Sequence, residues 1–310
     1  MAQVVHDDRA GGSAAQNAAA LGNARREGRN WRCQCPAHGG SSLTLCNAPD
    51  GRLLVKCWAG CDSVAVLAEL RRRGLIAGRC EGAQPASVRA RSDDRADAAR
   101  RTALVLRVWN AAQSARGTPV VRYLARRCIT IPPPPSLRWV PSLRRPDGTY
   151  AAAMVARVDG LDGELIGAHR TWLARDDCGQ WHRHDRASLG SIAGGAVRLA
   201  PAAEILMIGE GIETCLAAMH ATGMPVWAAL STSGLVALAL PPIVRAVIVL
   251  TDHDASGAGE RAARTAAARW LTEGRRVKLA MPPEPGRDFN DVLLSRAHAE
   301  MRDVAARRRC

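Results

Sequence analysis

The sequence predicts an α/β protein: a parallel sheet covered on both faces, preceded by an α+β segment and a small cysteine-rich module. Three observations carry this. Two short apolar runs, Ile205–Ile208 and Ala246–Leu250, lack turn residues and each runs into acid, at Glu210 and at Asp252 and Asp254. A helix-like stretch, Ile212–His220, and a third short strand, Pro225–Leu230, lie between them. Far upstream, two short knuckles, Cys35-Pro-Ala-His38 and Cys57-Trp-Ala-Gly-Cys61, present paired soft ligands. Continuous apolar runs of this length suit strands buried on both faces.

Composition bounds the partners. The 310 residues allow two domains, and 47% apolar content supports a sizeable core. A formal net charge of +14 and a pI near 10.3 point to a polyanionic partner. All but two of the 43 basic residues are arginine, the lysines being Lys56 and Lys278. With so much alanine, this is also the bias of a GC-rich genome, so the placement of charge says more than its sum. No stretch approaches the roughly 18 apolar residues of a membrane span. The N-terminus has early acids and no apolar segment of the secretory kind. The expectation is a cytoplasmic protein whose ten cysteines are free or metal-bound, with no membrane partner.

In chain order, residues 1–25 read as a flexible arm or short helix, rich in Ala, Gly and Asp. Residues 26–76 read as a zinc ribbon plus a helix. Cys35, His38, Cys57 and Cys61 offer four ligands to one tetrahedral Zn2+, and closing all four positions makes a structural site. Between the knuckles, Ser41–Leu45, the turn Asn47–Gly51 and Arg52–Lys56 read as strand, turn, strand. Cys33 competes with Cys35 for the ligand position, and Cys46 is surplus. The helix Ser63–Arg73 stops at Gly74, and Arg71–Arg73 suit either phosphate contact or a solvated helix end. Residues 77–97 have no apolar period and read as a linker.

Residues 98–200 form the α+β segment. A helix over Ala98–Ala115 is followed by Gly117-Thr118-Pro119, which opens a helix over Val120–Arg127 with Pro at its first position. Two strands, Tyr150–Val158 and Glu164–Leu173, join through the turn Asp159–Gly163, and Trp181–Gly190 reads as a basic, polar loop. Residues 201–300 hold the parallel sheet, with the helix Gly257–Thr272 and a further strand, Val277–Met281. Residues 301–310 are a basic tail. In an open α/β sheet the ligand crevice lies beyond the carboxyl ends of the strands, where Glu210, Asp252 and Asp254 fall. Three carboxylates there repel one another unless a cation joins them, and a hard divalent ion such as Mg2+ suits oxygen ligands best. The alternative is that the two Asp residues cap the next helix while Glu210 is solvated.

These residues also carry a resemblance. A strand ending in Glu210-Gly211, then one ending in Asp252-His253-Asp254-Ala255-Ser256-Gly257, resembles the Toprim domain of primases, topoisomerases and some nucleases. Asp288-Phe289-Asn290-Asp291 is similar to the Asp-x-Asn-Asp/Glu signature of phage primase–helicases. Cys35-Pro-Ala-His38 with Cys57–Cys61 is similar to primase zinc modules, which help choose the template. Tyr123-Leu124-Ala125-Arg126-Arg127-Cys128-Ile129 resembles the Tyr-Leu-x-x-Arg-Gly stretch of primase cores, with Cys128 in the place of Gly. Thr214 stands where many primases carry Asp, and His253 within the Asp-x-Asp is uncommon.

The resemblance implies a Rossmann-like Toprim sheet behind a primase-core subdomain and a zinc ribbon. It implies an enzyme that joins nucleoside triphosphates into short RNA primers on single-stranded DNA, for a phage, plasmid or mobile element. Glu210, Asp252 and Asp254 would be catalytic ligands of Mg2+ or Mn2+, with Glu213, Asp288 and Asp291 as outer or second-metal ligands. Arg127, Arg170 and Arg186 would contact nucleotide or template, and Trp31 or Trp58 would stack on bases or pack on the zinc knuckle, packing being favoured for Trp58. No P-loop occurs, so any replicative helicase is expected to be a separate partner. A topoisomerase would need a nucleophilic Tyr, and neither Tyr123 nor Tyr150 has the right surroundings. Two rivals remain: a Toprim nuclease, and a non-catalytic zinc-containing DNA-binding protein.

Overall fold

The computed structural model describes residues 4–6, 13–28, 30–48, 51–58, 61–76, 88–190, 192–252 and 257–296. The chain divides into two compact units, Met1–Asp94 and Arg95–Cys310.

The first unit is an antiparallel five-stranded sheet with two helices. Its elements are β1 (Val4–His6), α1 (Ala14–Leu21), β2 (Arg25–Glu27), β3 (Asn30–Cys33), β4 (Leu43–Asn47), β5 (Leu53–Cys57) and α2 (Ser63–Arg72). The strand order is β1-β5-β4-β3-β2. Leu43, Leu45, Leu53 and Val55 alternate onto one face and bury against Val66, Leu67 and Leu70 of α2. Of the arm or short helix expected over residues 1–25, the described residues show the helix. Ala14, Ala18 and Leu21 of α1 are buried in the same core, and Ser13 and Gln16 cap the helix reciprocally. A stripe made mostly of alanine is hard to see in a segment that is alanine-rich throughout.

The second unit begins within α3 (Val88–Ala111). That helix starts ten residues before the expected Ala98 and takes in the end of the supposed linker. Then follow β6 (Gln113–Ser114), α4 (Pro119–Ala125), β7 (Leu137–Arg144), β8 (Tyr150–Asp159), β9 (Leu165–Arg175) and β10 (Trp181–Gly190). These strands form an antiparallel sheet in the order β10-β9-β8-β7-β6. The basic loop expected at Trp181–Gly190 is therefore an edge strand. Its alternation is broken by a bulge between Arg183 and Asp185, which hid it from a period-two reading. Val155 and Ala168 pack beneath Val105 and Trp109 of α3, while Met154, Ala156 and Val158 face the other way, toward α4 and the next domain.

The second sheet of this unit contains β11 (Val197–Arg198), β12 (Ile205–Gly209), β13 (Val226–Ala228), β14 (Ala246–Leu250) and β15 (Arg276–Ala280), in the order β11-β13-β12-β14-β15. All are parallel except β11. Helices α5 (Ile212–Thr222), α6 (Thr232–Ala237) and α7 (Ala258–Thr272) connect them. Leu206, Ile208, Val247 and Val249 bury against α6 and α7, whereas Met207 and Leu250 bury against α5 and the antiparallel sheet's core. Both faces are covered, as the apolar runs required. The chain leaves β12 toward β13 and returns on the other side as β14, so the connection reverses between β12 and β14. Among the described residues no helix is long and apolar enough to cross a membrane.

Candidate active site and metal cluster

Glu210 follows β12 directly and Asp252 lies two residues past β14. The two strands pair from Ile205↔Ala246 to Ile208↔Val249, so both acids leave neighbouring carboxyl ends at the reversal point. Glu210 is held from the next strand as well. The Ala229 and Leu230 amides donate to the carbonyls of Gly209 and Glu210 at 2.8 and 2.9 Å, with Leu230 at φ +69°. Both side chains are half-buried. Cys215 of α5 is buried beside Gly209 at the end of β12. Burial first, then the charges of Asp252, Glu213 and Glu210, push that thiol well above the usual range. Carboxylate oxygens are the donors a hard divalent cation takes, but among the described residues three or more ligand atoms converge only at the cysteine–histidine set of the first unit. Asp254 lies outside the described residues, as does the expected basic tail.

Asp288 caps a helical stretch over residues 289–296. Its Oδ1 accepts from the Asp291 amide at 2.9 Å, and its own amide donates to Asp291 Oδ2 at 3.1 Å. Asp288 Oδ2 also accepts from the Thr214 hydroxyl at 3.4 Å, which ties this cap to the first turn of α5. Glu213 is buried and accepts from the Tyr123 hydroxyl at 2.6 Å.

A cleft joins Glu210 to the antiparallel sheet. Glu210, Gly211, Ile212, Glu213 and Leu230 form one wall, and His169, Thr171, Arg183 and Arg186 the other. In the register Leu173↔Arg183, Thr171↔Arg186 and His169↔Ser188, all of these face the cleft side. The bulge at His184 is what brings Arg183 and Arg186, three residues apart, to one face. Burial, joined by the charges of Arg186, Arg170 and Arg183 and opposed by Glu213, lowers the His169 imidazole to about 4. It is neutral at pH 7, with Nδ1 3.2 Å from the Ser188 hydroxyl.

The other residues singled out from sequence fall elsewhere. Arg170 lies on the opposite face, where its neighbour across the sheet is Val155. Its guanidinium sits 4.9 Å from the Trp172 ring centre and donates to the Ser188 carbonyl at 3.3 Å. Arg127 donates to Asn290 Oδ1 at 2.8 Å, and Asn290 Nδ2 donates back to the Arg127 carbonyl at 2.8 Å. Arg183 and His169 were not singled out; the only sequence signal for them is membership of the basic stretch and of the strand before it.

In the first unit, ligand atoms of Cys35, His38, Cys57 and Cys61 all lie within 4.8 Å of one another. A tetrahedral Zn2+ with bonds of about 2.0–2.3 Å spans ligand pairs at roughly 3.3–3.8 Å, so the set fits one ion. His38 turns Nδ1 to the thiols, 3.1 Å from Cys61 and 3.8 Å from Cys57. The Ser42 hydroxyl lies 3.0 Å from His38 Nε2 and 3.4 Å from Cys57 Sγ. Cys33 is outside the cluster; burial raises its thiol to about 11. Trp31 packs partly against the core, whereas Trp58, favoured for packing, is 50% exposed. Its indole N–H donates to Thr44 and Lys56 sits over the ring.

A family model for the Toprim domain matches residues 205–299. Residues 205–299 are a Toprim domain. The preceding residues 99–199 match a domain of unknown function, DUF7146. No curated protein matches the sequence. Among solved structures, the zinc-binding and RNA polymerase domains of the Aquifex aeolicus primase are similar, at 16% identity over 92% of this chain and 80% of that one, with a TM-score of 0.43. The primase fragment of the bacteriophage T7 primase–helicase is 14% identical over 88% and 97%, with a TM-score of 0.36. The RNA polymerase domain of the Mycobacterium tuberculosis primase is 19% identical over 68% and 82%, also at 0.36. Within the Toprim domain, Glu210-Gly211 opens α5, and Gly211 is the residue whose added Cβ would press on Thr214 Oγ1 at 3.2 Å.

Proposed function

We propose that this protein is a DNA primase, a nucleotidyltransferase that makes short RNA primers on single-stranded DNA in the replication of a phage, plasmid or mobile element. The observation that carries the reading is that Glu210 lines one wall and Arg183 and Arg186 the other of a narrow cleft, about 10 Å³ in volume, which has to open to admit a nucleotide. Carboxylates for a hard cation on one wall and guanidiniums on the other match a substrate with a triphosphate. The 3′-hydroxyl attacks the α-phosphorus, the bond to the bridging oxygen breaks, and pyrophosphate leaves. Glu210 would hold the cation or take the hydroxyl proton, and Asp252 and Asp254 would complete the ligand set. Mg2+ or Mn2+, when bound, neutralises charge on the phosphoryl oxygens. Arg183 and Arg186 steady the triphosphate by charge-assisted hydrogen bonds. His169, being neutral, adds no competing charge. Cys35, His38, Cys57 and Cys61 would hold a structural Zn2+, and the half-exposed Trp58 beside Lys56 offers a stacking surface for a template base. A separate helicase would supply the unwound strand.

Incubating the protein with single-stranded template, labelled nucleotides and Mg2+ or Mn2+ tests this. Labelled oligonucleotides are expected; a cut template would mean a Toprim nuclease, and binding alone a DNA-binding accessory protein. Glu210→Gln should lower product formation by at least ~100-fold. Template affinity should stay the same or rise, since a negative charge is removed. That affinity should fall steeply with salt.

A further inference from the structure

Glu213 stands three residues past Glu210 on the same wall of the cleft, and its carboxylate is bonded toward α4. It is 8% exposed, and its Oε1 receives the hydroxyl of Tyr123, itself 2% exposed, from α4, 90 positions earlier. Its neighbour Thr214 points instead to Asp288. Adjacent residues of one helical turn thus serve two directions: Thr214 the metal rim, Glu213 the junction with the antiparallel sheet. An ionised carboxylate inside a core is strongly unfavourable unless compensated. Burial pushes Glu213 up. The Tyr123 hydroxyl, its own backbone, and the charges of Arg127 and Arg183 more than offset this, so the group stays below the usual carboxylate range.

The two guanidiniums differ in how they are held. Arg127 is fixed by its reciprocal bonds with Asn290 and stands 5.6 Å from the centre of the Tyr123 ring. Arg183 is an exposed residue at the bulge of an edge strand, and it lines the cleft opposite Glu210. A long side chain in that position gains rotamer entropy by swinging into water. Glu213 lines the same cleft, and its opposite charge attracts Arg183 across it without a direct ion pair.

We propose that the Tyr123–Glu213 pair is a positioning device, not a metal site: its buried anion holds Arg183 inside the cleft, where the guanidinium meets the triphosphate of the incoming nucleotide. The inference rests on the polymerase reading of the cleft. Tyr123 orients the carboxylate, Glu213 draws Arg183 inward, and Arg183 alone of the three touches substrate.

The test compares Glu213→Gln, Tyr123→Phe, Arg183→Ala and the Glu213→Gln/Arg183→Ala double variant in the full chain. Nucleotide KM, kcat and the Mg2+ midpoint are measured for primer synthesis. Binding of a Mg2+–nucleoside triphosphate is measured separately by calorimetry. Glu213→Gln is expected to raise KM and the triphosphate Kd about tenfold, with a much smaller fall in kcat and an unmoved Mg2+ midpoint. Tyr123→Phe should do the same more weakly. The double variant should bind no worse than Arg183→Ala alone, because one residue acts through the other. Additive losses overturn the proposal, as does a raised Mg2+ requirement at unchanged KM, which would make Glu213 a ligand. If Glu213→Gln fails to fold, Tyr123→Phe decides; lowered melting points with no change in triphosphate Kd would reduce the pair to a core contact. A wild-type protein that binds triphosphate but makes no primer would sink the polymerase reading while leaving the binding cycle to judge this one.

Discussion

Cys128 is a single residue whose backbone states what the sequence should have been. It occupies the left-handed region at φ +57° just past α4, its amide donating to Ala125 O at 2.9 Å and the Ile129 amide to Leu124 O at 3.0 Å. That is the Schellman closure, which favours glycine. The departure from the Tyr-Leu-x-x-Arg-Gly pattern therefore leaves the helix ending in place and adds strain of roughly 1–2 kcal/mol. Cys128→Gly should stabilise the second unit by about 1 kcal/mol and raise its melting temperature by ~2–4 °C. An unchanged or lower midpoint by calorimetry would show that the thiol's packing outweighs the strain. His169 gives a second test at this scale. Its folded-state value of about 4 lies below the ordinary 6.5, so between those pH values the unfolded chain binds the extra proton. Its contribution is complete above pH 6.5 and is lost as pH falls toward 4, by up to about 3 kcal/mol. Denaturant melts of wild type and His169→Gln from pH 4 to 7 should diverge in slope across that window; parallel curves would contradict the assignment.

At the scale of elements, the sequence made the parallel strands plain because each is apolar, short and bounded by acid or turn residues. Both Glu210 and Asp252 follow from that pattern directly. The antiparallel sheet was less legible at its edge. Strict alternation along Trp181–Gly190 would separate Arg183 from Arg186, whereas the bulge unites them on the face of His169 and Thr171; Arg170 of the partner strand alternates to the far face. No residue type marks a bulge of this kind, because the extra residue, His184, is simply left unpaired opposite consecutive Leu173 and Trp172 of the preceding strand. The Tyr123–Glu213 bond is hidden for a different reason, its halves lying on elements 90 positions apart. The zinc knuckles were legible in full, since ligand spacing is itself local. What spacing leaves out is the support. Ser42, at the start of the strand between the knuckles, holds the outward nitrogen of His38 and contacts Cys57. Such outer contacts fix the imidazole's orientation and tautomer. Ser42→Ala should weaken Zn2+ about tenfold in a chelator competition while leaving the 1:1 stoichiometry; equal affinity would make the contact incidental.

On the scale of the whole molecule, the two units differ in what holds them together. The core of Met1–Asp94 is a thin layer of leucines, valines and alanines between one sheet and two short helices, with Cys33 and Cys35 inside it. The core of Arg95–Cys310 is larger and includes the fully buried Trp172, Trp227 and Trp270. A small unit of the first kind rarely gains more than about 3–5 kcal/mol from its apolar core alone. A structural Zn2+ contributes roughly 10–16 kcal/mol of apparent folding free energy at neutral pH. Removing it should therefore strip the first unit of most of its folding free energy and leave it marginal, while the second unit has no share in those ligands. Hydrogen exchange with and without a strong chelator should show amide protection collapsing across β3, β4 and β5 while β12 and β14 are untouched. Cys57→Ser should reproduce that pattern without chelator. Protection retained in β4 after metal removal would mean that the apolar layer suffices by itself, and a parallel loss in β12 would mean that the two units fold as one.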